Sequence, residues 1–184
     1  MSRPRGRPPK SDDPATRDRL LAAATEACVE VGFEAVRVAD VAARAGVTPA
    51  AVYNHSADKE ELLYTAGRVA IDRLKSAIDP ATEPDRMAQA AVAAFLSPSF
   101  RTSRRLILEL HLAAARHREL GEHVSRWHRE FASLAAEGPV DVKVFFLLLL
   151  GCCHVDDLHA LDAPAAAVEE RMARLVDQLF ASSG

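Results

Sequence analysis

Aromatic side chains are scarce in this 184-residue chain, 5% of the total, and the scarcity limits what a binding cavity can be lined with. Caging an organic cation takes several ring faces converging on one charge, and one Trp, two Tyr and seven Phe leave few to spare. Cysteine is sparser still. Cys28, Cys152 and Cys153 are an odd number at spacings that define neither a disulfide framework nor a zinc site, so a reduced, cytoplasmic setting is expected. Long apolar runs are also missing. The most apolar stretch, Val144 to Cys153, is about half of what a bilayer requires, and no hydrophobic segment follows the basic N-terminus as an export signal would need. No membrane association is expected. There is no glycine-rich phosphate loop, no His-Glu-x-x-His pair and no serine elbow, so neither an enzyme nor a resident cofactor is expected. Strand-like alternation and internal repeats are absent as well.

What is present favours helices. Apolar residues make up 49% of the chain, supplied mainly by Ala, Leu and Val, a composition that forms helices readily and is large enough here for a sizeable core. The net charge of −3 conceals an asymmetry: residues 1–59 carry nine Lys/Arg against eight Asp/Glu, and residues 60–184 carry fourteen against eighteen. The acidic C-terminal part is therefore a poor nucleic-acid surface. Proline-bearing breaks at Asp79-Pro80, Glu83-Pro84, Ser97-Pro98 and Gly138-Pro139 divide the chain into successive helical runs. These are a long helix capped by Asp58 and reaching about Ile78, then helices from Asp85 to Leu96, from Ser103 to about His117 and from about Leu120 to Ala136.

The most informative segment is Asp40 to His55. Val38, Val41, Ala42 and Ala45 recur at helical spacing over about 38–45. Gly46 can leave that helix in the left-handed conformation, with Val47 tucked under the corner. Thr48 is a good N-cap, and Pro49 fits the first helical position, where its missing N–H costs nothing. In the second helix Val52 points inward, whereas Pro49, Ala50, Tyr53 and Asn54 share the opposite arc. Two short helices about a glycine turn, with a polar outward arc on the second, have the form of a helix-turn-helix that enters the DNA major groove. An ordinary pair of core helices meeting at a glycine is the alternative.

Upstream, Met1 to Lys10 holds four basic and no acidic residues, and has too little apolar surface to fold alone. Arg3, Arg5 and Arg7 lie among Gly6, Pro8 and Pro9, a composition suited to an extended arm in a narrow minor groove. A disordered basic arm over 1–14 is expected.

The segment from Thr16 through Ala66 contains Gly32-Phe33, Asp40-Val-Ala, Ala45-Gly-Val-Thr48, Ala51-Val-Tyr-x-His55 and Lys59-Glu-Glu-Leu-Leu63. It resembles the N-terminal domain of TetR-family (tetracycline-repressor-like) transcriptional regulators. The resemblance implies an all-α fold of about nine helices: a three-helix DNA-binding domain over 15–57, and over 58–184 a bundle for ligand binding and dimerisation. Carried over by position, the family's DNA contacts fall on Thr48, Pro49, Ala50, Tyr53, His55 and Lys59. Tyr53 and His55 have polar tips suited to phosphate oxygens, and Lys59 lies in the first turn of the next helix. Pro49 and Ala50 can meet thymine methyls and Asn54 can pair with adenine. Arg44 is a further candidate for backbone contact.

Two positions depart from the family pattern. Arg37 stands where a capping Thr or Ser is usual, and a lost cap costs about 1 kcal/mol. Ser56 stands where a Phe usually packs beneath the reading helix, and a missing buried aromatic costs roughly 3–5 kcal/mol unless the space is refilled. Phe33 is expected to fill part of that space.

Two C-terminal helices bear on assembly. Val140 to Leu161 is apolar nearly all round its middle, and Pro164 to Ala181 carries a stripe of Val168, Met172, Leu175, Val176, Leu179 and Phe180. In the resembled family these helices form a four-helix interface, which implies a homodimer on a palindromic operator. They could instead complete the monomer's own core. The resemblance also implies an effector pocket for a small molecule among the middle helices, with Phe95, Leu108, His111, Leu112, Trp127, Phe131 and Phe146 as candidates. Most of these read more simply as core; His111 and Trp127 stand out as polar-tipped groups in apolar stripes. An aliphatic lining suits a hydrophobic, acyl-like ligand. The spacing of His111, His117, His123 and His128 spreads them around a helix, and no metal site is expected, although His154, Asp156 and His159 are close enough together to be weighed. The competing readings are a ligand-released repressor, a DNA-binding regulator without a small-molecule effector, and a metal-binding helical protein.

Overall fold

Asp13 opens the first helix by accepting from the Ala15 N–H at 3.2 Å and from the Thr16 hydroxyl at 2.8 Å, with Pro14 at the first helical position. The computed structural model describes residues 13–78, 81–82 and 87–134, with positions 150, 151, 154, 170, 174 and 178. Side chains are described within 13–78, 81–82, 90–130 and those six positions. The arm with Arg3, Arg5 and Arg7, the side chains of Phe131 and Phe146, Cys152 and Cys153, Asp156 and His159, and most of the two C-terminal helices lie outside the described residues.

The described residues form seven α-helices and no strand: α1 Pro14–Ala35, α2 Val38–Ala45, α3 Pro49–Val52, α4 Lys59–Ser76, α5 Met87–Leu96, α6 Arg101–Ala114 and α7 Arg118–Leu134. This is the expected all-α class, with boundaries shifted by a few residues. A 3-10 turn over Pro98–Phe100 leads straight into α6, two residues before the expected start. Arg104 holds this junction together. This side chain is buried, and its guanidinium donates to the carbonyls of Phe95, Leu96 and Ser97 at 3.3, 2.9 and 3.2 Å. It thereby satisfies the end of α5 that would otherwise be buried unpaired.

One core joins these helices. Leu20, Ala24 and Cys28 of α1, Val41 and Ala42 of α2, Leu62 and Leu63 of α4, Leu106 and Leu110 of α6, and Leu120 and Trp127 of α7 are all essentially inaccessible. Such burial contributes about 25 cal/mol per Å² of apolar surface removed from water. Burial also pushes the Cys28 thiol up to about 12, so it is an inert packing residue. Gly67 of α4 is what lets Trp127 reach the centre. A methyl group there would stand 2.5 Å from the indole Cη2 and 2.7 Å from Leu110 Cδ1.

Near its end α1 bends at Gly32, whose φ of +78° is open to glycine and strained for other residues. The bend turns Phe33 inward, where it is 2% exposed. It also aims the Phe33 N–H at Glu109 Oε2 of α6, 3.3 Å away. The three N-terminal helices are thus hooked onto the bundle at the end of α1 as well as through α4.

Candidate nucleic-acid interface

The turn between α2 and α3 is closed by backbone bonds alone. Gly46 takes φ +69° and ψ 35°, its N–H reaches the Ala43 carbonyl at 3.2 Å, and the Val47 N–H returns to the Ala42 carbonyl at 3.0 Å. This paired arrangement satisfies the last carbonyls of α2 and needs a left-handed residue at its hinge. Thr48 then caps α3, accepting from the Ala51 N–H at 3.2 Å. Val52 is 1% exposed and pins α3 from behind. Thr48, Pro49, Ala50 and Asn54 are exposed and Tyr53 is 57% exposed, so the outward arc is as the residue spacing requires. His55 is half-buried at the turn that follows.

The two departures at Arg37 and Ser56 have visible consequences. Arg37 supplies no side-chain cap to α2 and instead closes on Asp40 in the first turn, Nε to Oδ2 at 2.8 Å. Both groups are largely exposed, so the pair recovers at most a fraction of a lost cap. Ser56 is buried at 6% exposure. Phe33 is buried too, but its ring lies edge-on to His117 at 4.8 Å and beneath the Lys59 ammonium at 4.7 Å, on the side of the bundle. Arg44 is ion-paired with Glu30 of α1.

Lys59 is engaged inside the molecule. Its ammonium donates to the carbonyls of Phe33 and Glu34 at 3.0 and 3.3 Å, tying the first turn of α4 to the end of α1. Around it, Asp58 caps α4 by accepting from the Glu61 N–H at 2.8 Å, and Glu61 reaches back to the Ala57 N–H at 2.5 Å.

Residues 20–65 match the family described as bacterial regulatory proteins, tetR family. The matched segment holds α2, α3 and the start of α4, and it is similar to that family. Beyond that segment, the fold of the chain is shared with solved structures. A TetR-family member from Streptomyces coelicolor A3 superimposes with TM-score 0.67 at 24% identity, over 88% of this chain and 98% of that one. A transcriptional regulator from Rhodococcus sp. Rha1 gives 0.66 at 24% identity, over 91% and 95%. The fatty acid degradation regulator FadR from Bacillus halodurans gives 0.64 at 18% identity, over 87% and 93%. No curated protein sequence matches the chain.

The candidate effector residues do not share one lining among the described residues. Phe95 is in the core against Phe100, ring centroids 5.5 Å apart, whereas Leu112 is 53% exposed on α6 and Leu108 is half-buried. His111 and Trp127 do come together, centroids 6.4 Å apart, in a cluster with Tyr64 stacked on Trp127 at 5.2 Å and His123 at 4.1 Å from Tyr64. His111 Nδ1 donates to the Ile107 carbonyl at 2.7 Å, and Nε2 lies 2.9 Å from His128 Nε2. Burial, then the neighbouring His128, depresses His111 to about 4, so it is neutral. Trp127 Nε1 is buried and has no hydrogen-bond partner among the described residues.

The histidine spacing was misleading because it assumed a single helix. His111 is on α6 and His128 on α7, and the turn between these helices folds one against the other. Sequence reading missed Glu34, Glu60, Arg104 and Glu109 altogether, since each acts on a partner in another element. Among the described residues no cluster of His, Cys, Asp or Glu is arranged to hold a metal, and His154 is exposed. No helix of the described residues is long and apolar enough to cross a membrane.

Proposed function

We propose that the chain is a cytoplasmic, homodimeric repressor that binds a palindromic operator and is released from it by a small hydrophobic ligand, with no catalytic activity. The carrying observation is an outward arc at α3: Pro49 and Ala50 are exposed on a helix fixed from behind by Val52 and capped by Thr48, and Tyr53 and Asn54 are exposed in the turn that ends it. In this reading Pro49, Ala50 and Asn54 meet base edges, and Thr48, Tyr53 and His55 meet phosphates. The basic arm of Arg3, Arg5 and Arg7 follows the adjacent minor groove. Residues 15–57 form the DNA-binding domain and 58–184 the ligand-binding and dimerisation domain. Two copies place two such arcs one DNA turn apart, which is what a palindrome needs.

Release works through α4. It touches α1 by way of Lys59 and α7 by way of Arg68, whose guanidinium meets Glu130 at 2.5 Å. A ligand that favours a bundle with α4 displaced lowers operator affinity, provided it binds that arrangement better. An acyl chain with a polar head suits the site around Trp127 and His111. Leu110 packs beside the indole, His111 is uncharged, and among the described residues the Trp127 N–H has no acceptor. Fold-sharing with a regulator of fatty acid degradation supports the same class.

Titration against the palindrome nearest its own gene, at several salt concentrations and with fatty acids of graded length, tests this reading. Salt-sensitive, sequence-specific binding that medium or long acyl chains reverse is the expected result. Lys59→Ala should flatten the salt slope by about one unit if the lysine also meets a phosphate. An unchanged slope assigns it wholly to its carbonyl partners. Binding that no ligand reverses would leave a DNA-binding regulator without a small-molecule effector.

A further inference from the structure

Three elements meet at the turn between α6 and α7. His117 stands there with its Nδ1 at 2.9 Å from Glu60 Oε1 of α4, and its Nε2 at 3.0 and 3.2 Å from the two oxygens of Glu34 at the end of α1. The chemistry of this arrangement is restrictive. An ionised carboxylate only accepts hydrogen bonds, and a neutral imidazole has one N–H, so with both ring nitrogens facing carboxylates one of them would confront its acceptor with a lone pair. Only the imidazolium donates to both sides. We propose that His117 is a proton-operated latch between the helix-turn-helix unit and the bundle, closed as the imidazolium and open as the neutral ring.

The latch lies where the two parts of the molecule are joined. Beside it the Phe33 N–H is held by Glu109, and the Lys59 ammonium is held by the Phe33 and Glu34 carbonyls. The Phe33 ring packs edge-on to the imidazole. The charged groups facing His117 come from every side. α1 contributes Glu34, α4 contributes Asp58, Lys59 and Glu60, and α6 contributes Glu109 beyond Phe33. Arg116 precedes His117 in the turn, and Arg118, Glu119 and Glu122 of α7 line the adjoining cleft. Arg116 shares Glu34 Oε1 at 3.2 Å, and with Lys59 it opposes a charge on the ring. The two carboxylates in direct contact outweigh them. The hydrogen bond to Glu34 first, and that to Glu60 next, raise the histidine above its ordinary value, while His117 holds Glu34 below the usual carboxylate range.

The pH window follows from those directions. For a group raised in the folded state, the stabilisation is complete below the ordinary histidine value of about 6.5 and is lost as pH rises through the folded value. At the acid end, Glu34 stays ionised until pH falls through its own depressed value. The latch is thus closed below about pH 6.5 and opens as pH rises through the raised value of His117. Its side chain is a quarter exposed, so low ionic strength sharpens the effect.

The test requires no DNA, so its outcome is independent of the repressor reading. Histidine resonances of the full-length chain give the midpoint of His117 directly. It is expected above about 6.5 and should move downward in Glu34→Gln and in Glu60→Gln. Thermal unfolding of wild type against His117→Asn, from pH 6 to pH 9, should show a gap in melting temperature that closes as pH rises. Amides 33–36 should lose protection over the same interval in wild type only. A midpoint at or below about 6.5 overturns the latch, as does a melting gap that does not vary with pH. If His117→Asn does not fold, the midpoints of wild type and Glu60→Gln decide on their own.

Discussion

The helix-turn-helix and the bundle behind it are specified in opposite ways. From Val38 to Ser56, each structural decision is made within a few residues: Gly46 reverses the chain, Thr48 caps three residues ahead and Val52 sets the inward face. In the bundle the decisive pairs are far apart in sequence: Phe33 with Glu109, Glu34 with His117, Arg68 with Glu130, and Gly67 beneath Trp127. A surface that must present side chains to an external partner is built from local rules. The part that holds it in place depends on long-range complementarity. Damage should therefore stay local in the first region and spread through the whole molecule in the second.

Trp127→Ala is the strongest way to break that contrast. The indole is wholly buried and touches α4 and α6, so its loss should destabilise the entire chain by roughly 3–5 kcal/mol. Thermal unfolding would show a single shifted transition. A protein that keeps its melting temperature would mean that the bundle does not depend on this contact. Gly67→Ala should act in the same direction through overpacking, by about 1–3 kcal/mol. Gly46→Ala probes the other region. Nothing lies within 4 Å of the added methyl, so only the left-handed backbone is penalised. A loss on the order of 1 kcal/mol is expected, with chemical-shift changes confined to α2 and α3. Shifts reaching α7 would contradict locality. The smallest effect expected is from Ser56→Phe. Restoring the aromatic beneath α3 should raise the melting temperature by a few degrees, and a fall would show that the surrounding side chains have already closed over Ser56.

The same contrast explains what the sequence reveals. The caps at Thr48 and Asp58, the glycine turn and the inward Val52 were all readable, because each signal lies within one turn of the group it satisfies. The joint at His117 was not. Nothing near residue 117 indicates that residues 34 and 60 supply its partners, and a histidine in a turn resembles any surface histidine until the fold brings α1 and α4 beside it. Arg104 was hidden for a related reason. On α6 it looks like a solvated arginine, and only the sharp break at Pro98 folds the end of α5 back onto it.

The central claim, that the arc of α3 reads DNA, is tested most directly by measuring affinity for a palindromic operator and for a scrambled duplex at one salt concentration, with wild type, Tyr53→Ala and Asn54→Ala. Wild type should prefer the operator by about 10³-fold or more. Tyr53→Ala should weaken both duplexes alike, and Asn54→Ala should weaken the operator alone. Equal affinity for both duplexes, or an operator preference untouched by either substitution, would contradict it.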